Sequence, residues 1–129
     1  MKKAHEEWLE RAQDDLRFAE VGLRERFYSQ VCFLSQQAIE KCLKGALVFS
    51  KRPYPKSHSL GELSRKLPEM HLEVWREKLA ILDGYYVPLR YPDAAPGTTQ
   101  SGAPNKKEAT EAFTTAEEIF QAVARYVDN

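Results

Sequence analysis

Apolar residues recur every three or four positions at the start of the chain, at Trp8, Ala12, Leu16, Ala19 and Leu23, with Glu, Arg and Asp between them. This is the one-face pattern of an amphipathic helix. It predicts a first helix from about Lys3 to Arg24, roughly 33 Å long at 1.5 Å per residue. A turn follows at Glu25 to Tyr28, and Ser29 is placed to cap the next helix. From Gln30 to Phe49 the apolar arc widens: Val31, Cys32, Leu34, Ala38, Ile39, Cys42, Leu43, Ala46 and Leu47 cover two adjoining stripes. A helix so broadly apolar is central and touches several neighbours. Pro53 and Pro55 stop it, since neither can continue a helix. Ser57 is expected to cap a short helix buried through Leu60, Leu63 and Leu67 and ended by Pro68. Another helical pattern, from Met70 to Leu82, runs through Leu72, Val74, Trp75, Leu79 and Leu82, and Gly84 breaks it.

The stretch Tyr85 to Asp93 is too proline-bound for one regular helix, and Ala94 to Pro104, with its prolines, glycines and small polar residues, reads as loop. The last segment, Lys106 to Val127, is amphipathic again, with Phe113, Ala116, Ile119, Phe120, Val123 and Val127 inward and Asn105 at its cap. No strand alternation and no internal repeat interrupts the series. The fold class expected is all-α: an antiparallel up-and-down helical bundle of three long and two short helices, forming a single domain over residues 1–129.

Composition narrows the function classes. A chain of 129 residues makes one domain able to bury a full core without a disulfide or metal staple. Lys plus Arg and Asp plus Glu each total 19, so bulk charge does not drive it onto DNA, and only local basic patches remain open. No apolar run reaches the roughly 18 residues of a membrane helix. The N-terminus lacks the apolar core of a signal peptide. Cys32 and Cys42 lie in one apolar segment without a C-x-x-C pattern and read as reduced core residues, so a cytoplasmic location is expected.

Familiar catalytic motifs are absent, and His5, His58 and His71 show no ligand spacing, so neither a metal nor a cofactor is expected. The adjacent pairs Glu6-Glu7, Asp14-Asp15 and Glu117-Glu118 diverge around their helices and read as solvated faces. Three features carry possible chemistry. Gln37, Glu40, Lys41 and Lys44 share one face of the second helix as a polar stripe, which also suits an ordinary salt-bridged strip. Lys41, Lys44, Lys51, Arg52 and Lys56 form a basic cluster with no acid between Lys41 and Gly61, with Tyr54 interleaved and His58 following. Phosphate is the natural partner of such a group, although a solubilising loop would look the same. Tyr85, Tyr86, Arg90 and Tyr91 combine rings that stack bases with a guanidinium that binds phosphate; the same rings could instead pin a loop onto the bundle.

The series Trp8-x-x-x-Ala12-x-x-Asp15-Leu16-x-x-Ala19, then Tyr28, then Gln36-Gln37-Ala38-Ile39-Glu40-Lys41-Cys42-Leu43-Lys44, resembles the HEPN domain (higher eukaryotes and prokaryotes nucleotide-binding). His58-Ser59-Leu60 and Tyr85-Tyr86-x-x-x-Arg90-Tyr91-Pro92 continue the resemblance in the same order, so that it spans essentially the whole chain. The resemblance implies an all-helical bundle, often a homodimer, in many members encoded beside a minimal nucleotidyltransferase as a two-component or toxin–antitoxin module. Other members are metal-independent ribonucleases with an Arg-x(4–6)-His pair, the His acting as acid and base on the 2′-hydroxyl and the Arg steadying the phosphate. This sequence departs from that pattern, because no His follows Arg90; Arg52 and His58 match the spacing but lie after the second helix.

The leading expectation is a nucleotide- or RNA-phosphate-binding subunit with Lys41, Lys44, His58, Tyr85, Tyr86, Arg90 and Tyr91 at its site. The alternatives are an endoribonuclease toxin using His58 with Arg52 or Arg90, and a purely structural helical partner protein.

Overall fold

The computed structural model describes residues 2–86 and 102–128, and among these every regular element is helical. Three long helices, α1 (Ala4–Arg24), α2 (Tyr28–Phe49) and α5 (Lys106–Val127), frame the bundle. Two short ones, α3 (Leu60–Arg65) and α4 (Arg76–Asp83), lie between α2 and α5 with 3-10 turns at Pro68–Met70 and Leu72–Trp75. Among the described residues no helix is long and apolar enough to cross a membrane.

Pairings along α1 and α2 give their register. Asp15 meets Lys41, and Gly22 faces Val31 just as Trp8 faces Gly45, so the two helices run antiparallel. The Phe49 and Tyr126 rings, 5.6 Å apart, bring the C-terminal ends of α2 and α5 together. The segment holding α3 and α4 therefore carries the chain back before α5 begins. As the width of its apolar arc requires, α2 is the central helix: Val31, Cys32, Ala38, Ile39, Cys42, Leu43, Ala46 and Leu47 are all fully buried. The turn after α1 and the one after α2 close alike. Phe27 N–H donates to the Gly22 carbonyl at 2.8 Å and Arg52 N–H to the Leu47 carbonyl at 2.9 Å, with Arg26 and Lys51 left-handed at φ 66° and 59°. That six-to-one bond satisfies helix-end carbonyls and reverses the chain.

Several boundaries differ from the sequence expectation, each for a local reason. Ser29 is not a cap: α2 already starts at Tyr28 behind Phe27. The cap of α3 is Ser59, whose Oγ accepts from Glu62 N–H at 3.1 Å, while Ser57 Oγ accepts from Ser59 N–H at 3.0 Å. The Met70 to Leu82 pattern is broken at His71, which sits at φ 53°, and resumes as a 3-10 turn before α4. Tighter 3-10 winding swings Val74 out to 75% exposure while Leu72, Leu79 and Leu82 stay buried. At α5 the expectation holds in full: Asn105 and Glu108 exchange bonds of 2.8 and 2.9 Å in a capping box.

A polar lock ties the return segment to the end of α5. Arg52 engages both carboxylate oxygens of Glu69, at 2.7 and 2.9 Å, and donates to the Lys66 carbonyl at 3.0 Å; Tyr126 donates to the same carboxylate at 2.6 Å. The Arg52 guanidinium first, and the Tyr126 hydroxyl after it, hold the Glu69 carboxyl down at about 2.

Two outcomes follow from this packing. A Cβ at Gly45 would lie 3.0 Å from Trp8 Cβ and 3.4 Å from the His5 carbonyl, both anchored to the α1 backbone. Gly45→Leu should therefore push α1 off α2 and cost about 1–3 kcal/mol, read as a lowered urea midpoint; an unchanged midpoint would show that the helices do not touch there. Because the Glu69 carboxyl sits below its ordinary 4.5, its contribution is present above that value and is lost as pH falls toward 2. The thermal midpoint of the wild type should fall more steeply over that window than that of Glu69→Gln, and parallel curves would show that the lock adds nothing to stability.

Candidate functional site

Gln36, Glu40 and Lys44 stand four residues apart on α2, on a face that packing closes: they are 0%, 5% and 8% exposed. Buried charges persist only when paired and hydrogen-bonded, and the Glu40 carboxylate is ringed by donors. Lys44 Nζ lies 2.9 Å from Oε2 and Gln36 Nε2 lies 3.3 Å from Oε1. His58 Nδ1 approaches both oxygens, at 3.0 and 3.1 Å. Lys44 also sits over the faces of Trp8 and Tyr54, 5.9 and 5.7 Å from their centroids, so ring quadrupoles replace part of its lost hydration. Those rings meet edge to face at 5.7 Å, which fixes the α1 and return-loop walls of the enclosure.

The loop after α2 delivers His58 to this carboxylate. Gln36 Nε2 donates to the His58 carbonyl at 3.1 Å, and the adjoining Ser59 caps α3. From α4, Asp83 accepts from Leu60 N–H at 2.7 Å and from Gly61 N–H and Ser59 Oγ at 3.4 Å each. Burial raises the Asp83 carboxyl above its ordinary value, while these bonds pull the other way. The His58 ring is half-exposed and lies 4.2 Å from Tyr86 at 16°; Tyr86 in turn lies 6.4 Å from Phe33 at 26°. A buried carboxylate thus orients a partly exposed imidazole at the end of a three-ring stack.

The residues expected at a site are distributed as follows. His58 and Tyr86 come together, with Lys44 joined to them through Glu40. Lys41 turns instead to α1, 2.7 Å from Asp15, so Asp15 is not the solvated residue that its pairing with Asp14 suggests. Of the other adjacent pairs, Glu118 accepts from the Trp75 indole at 3.1 Å. Tyr85 is a core residue, 3% exposed, whose hydroxyl is pushed up by burial; it bonds Cys32, whose thiol burial pushes up to about 12. Arg52 is committed to Glu69 and the Lys66 carbonyl rather than to His58. Arg90 and Tyr91 lie outside the described residues. The basic cluster is therefore largely engaged by internal partners, and Lys51 and Lys56 are its exposed members without an ion pair among the described residues. No group of three or more His, Cys, Asp or Glu side chains among the described residues could hold a metal ion.

Three contributors escape a reading of the stripe alone. Gln36 has no role in that reading, yet it is the hub that joins Glu40 to the His58 backbone; the spacing Gln36-x-x-x-Glu40-x-x-x-Lys44 is the available signal. Asp15 and Asp83 carry no such signal, because their partners lie on other elements.

Comparison with known proteins agrees with this architecture. The chain resembles two solved structures along nearly its full length. One is the Thermus thermophilus protein TT1696, 34% identical, with a TM-score of 0.79 and coverage of 97% of this chain and 99% of that one. The other is ST0689, described as an archaeal HEPN homologue, 29% identical, with a TM-score of 0.77 and coverage of 98% and 99%. A Methanocaldococcus jannaschii protein named "Putative toxin MJ1304" is 26% identical over 130 residues, covering 93% of this chain and 86% of its own. The HEPN domain model matches residues 5–126. That match covers nearly all of the three long helices and includes His58, and the chain belongs to the HEPN domain family.

Proposed function

We propose that the chain is a nucleotide- or RNA-phosphate-binding subunit of a cytoplasmic two-component, toxin–antitoxin-like module, partnered by a minimal nucleotidyltransferase. The observation that carries this reading is the half-exposed His58 ring, oriented by buried Glu40 and backed by Tyr86. An aromatic stack ending in a partly exposed ring offers a nucleobase a platform, and Lys51 and Lys56, exposed and without an ion pair among the described residues, are available for phosphate. Arg90 and Tyr91, outside the described residues, are assigned to the proposed site from the sequence alone. Lys41 and Lys44 act from within, holding α1 and Glu40. A toxin-like role is supported by the name of the archaeal relative. Homodimer formation is supported by Phe18 and Val21 of α1 and Phe27 beyond it, which leave 66%, 45% and 57% of their surface exposed.

The relative's name also favours a second reading, a metal-independent endoribonuclease in which His58 serves as acid and base. With Arg52 engaged by Glu69, its phosphate partner would be Arg90.

Titration with ATP and with a short RNA, with magnesium and with EDTA, separates the readings when heat and RNA integrity are followed together. The binding subunit predicts saturable heat and intact RNA. It also predicts affinity reduced about tenfold or more in His58→Ala, since stacking on one ring is worth roughly 1–3 kcal/mol. Cleavage that persists in EDTA and vanishes in His58→Ala would install the nuclease instead. Neither heat nor cleavage would leave a structural partner protein.

A further inference from the structure

The bonds around Glu40 fix the tautomer of His58 as well as its place. Lys44 Nζ can only donate, and it occupies Oε2 at 2.9 Å. The Gln36 oxygen is taken by Gln37 Nε2 at 2.7 Å, so the Gln36 amide nitrogen is the atom facing Glu40 Oε1. Glu40 is thus an ionised carboxylate paired with an ammonium, and it has no hydrogen to give. His58 Nδ1, 3.0 and 3.1 Å from its two oxygens, must carry the hydrogen of that contact. In a neutral imidazole the other nitrogen is then a bare acceptor. Nε2 lies on the ring edge away from Glu40, the ring is half-exposed, and no described residue bonds that atom.

We infer that Glu40 is a positioning residue that locks His58 as the Nδ1-protonated tautomer, so that Nε2 accepts a neutral hydrogen-bond donor of the bound nucleotide. The inference rests on the nucleotide-binding reading above. The donor is the ribose 2′-hydroxyl or an exocyclic base amine, since a phosphate oxygen has no hydrogen to offer a neutral imidazole. Phosphate charge is left to the exposed cations Lys51 and Lys56, and His58 reads the nucleoside.

Long-range proton–nitrogen correlation spectra of the ligand-free chain at pH 8 test the tautomer directly. The expected spectrum shows a protonated Nδ1 and an unprotonated Nε2. Glu40→Gln, whose amide can either donate or accept, should shift the ring toward the Nε2-protonated form. A wild-type ring protonated at Nε2 overturns the inference, and that spectrum decides the case even if Glu40→Gln does not fold.

Calorimetry with AMP, 2′-deoxy-AMP and IMP at the same pH tests the ligand class. Loss of the donor that His58 reads should weaken binding about tenfold. A weak 2′-deoxy-AMP identifies the sugar hydroxyl, whereas a weak IMP identifies the base amine. The discrimination should disappear in His58→Ala and in Glu40→Gln. Equal affinity for the three nucleotides overturns the inference while leaving nucleotide binding intact. Failure of all three to bind, together with failure of ATP and of the short RNA, overturns the proposed function itself, and the tautomer spectrum still reports on Glu40.

Discussion

A carboxylate placed in the middle of the central helix of a small bundle must find donors on every side or give up its charge, because the desolvation penalty amounts to several kcal/mol. Glu40 meets that demand with Lys44 and Gln36 from its own helix and His58 from the following loop. Each donor brings its own requirements. Lys44, itself buried, is sheltered by Trp8 of α1 and Tyr54 of the loop. Trp8 comes so close that a Cβ at position 45, which is glycine, would lie 3.0 Å from its own Cβ. His58 can reach the carboxylate only if the loop turns back, and Gln36, Ser59 and Asp83 hold that turn. Helix packing, loop course and site geometry are in this sense one constraint.

The bundle was legible because burial in it is periodic. Trp8 to Leu23, the wide arc of α2 and the strong amphipathic pattern ending in Val127 each report which face is covered, and the capping box at Asn105 is a purely local signal. Where local signals compete, the sequence misleads: Ser57 and Ser59 both suit a cap, and only Asp83, more than twenty residues further on, selects the position. Val74 misleads because a period of 3.6 does not describe a turn wound with three residues per turn.

The candidate site was legible in part, for a different reason. Composition and spacing find charges but not their partners. The stripe Gln37, Glu40, Lys41, Lys44 does lie on α2, yet one helix turn divides Lys41, which reaches α1, from Lys44, which turns inward. Counted along the chain, the basic cluster looks like a phosphate trap. In three dimensions Asp15, Glu40 and Glu69 have claimed Lys41, Lys44 and Arg52. What remains uncommitted is an oriented, half-exposed imidazole on an aromatic stack, a feature that depends on Phe33, Tyr86 and His58 meeting from three parts of the chain.

The mutual dependence of Glu40 and Lys44 underlies both fold and site, and a double-mutant cycle measures it most directly. Urea unfolding of the wild type, Glu40→Gln, Lys44→Met and the double variant should give a coupling of about 1.5–3 kcal/mol, since either single change leaves an orphaned buried partner. The double variant should then be no less stable than the worse single one. Losses that simply add would contradict a buried pair at the centre of the fold and would return both side chains to the solvated strip that their sequence spacing alone allows.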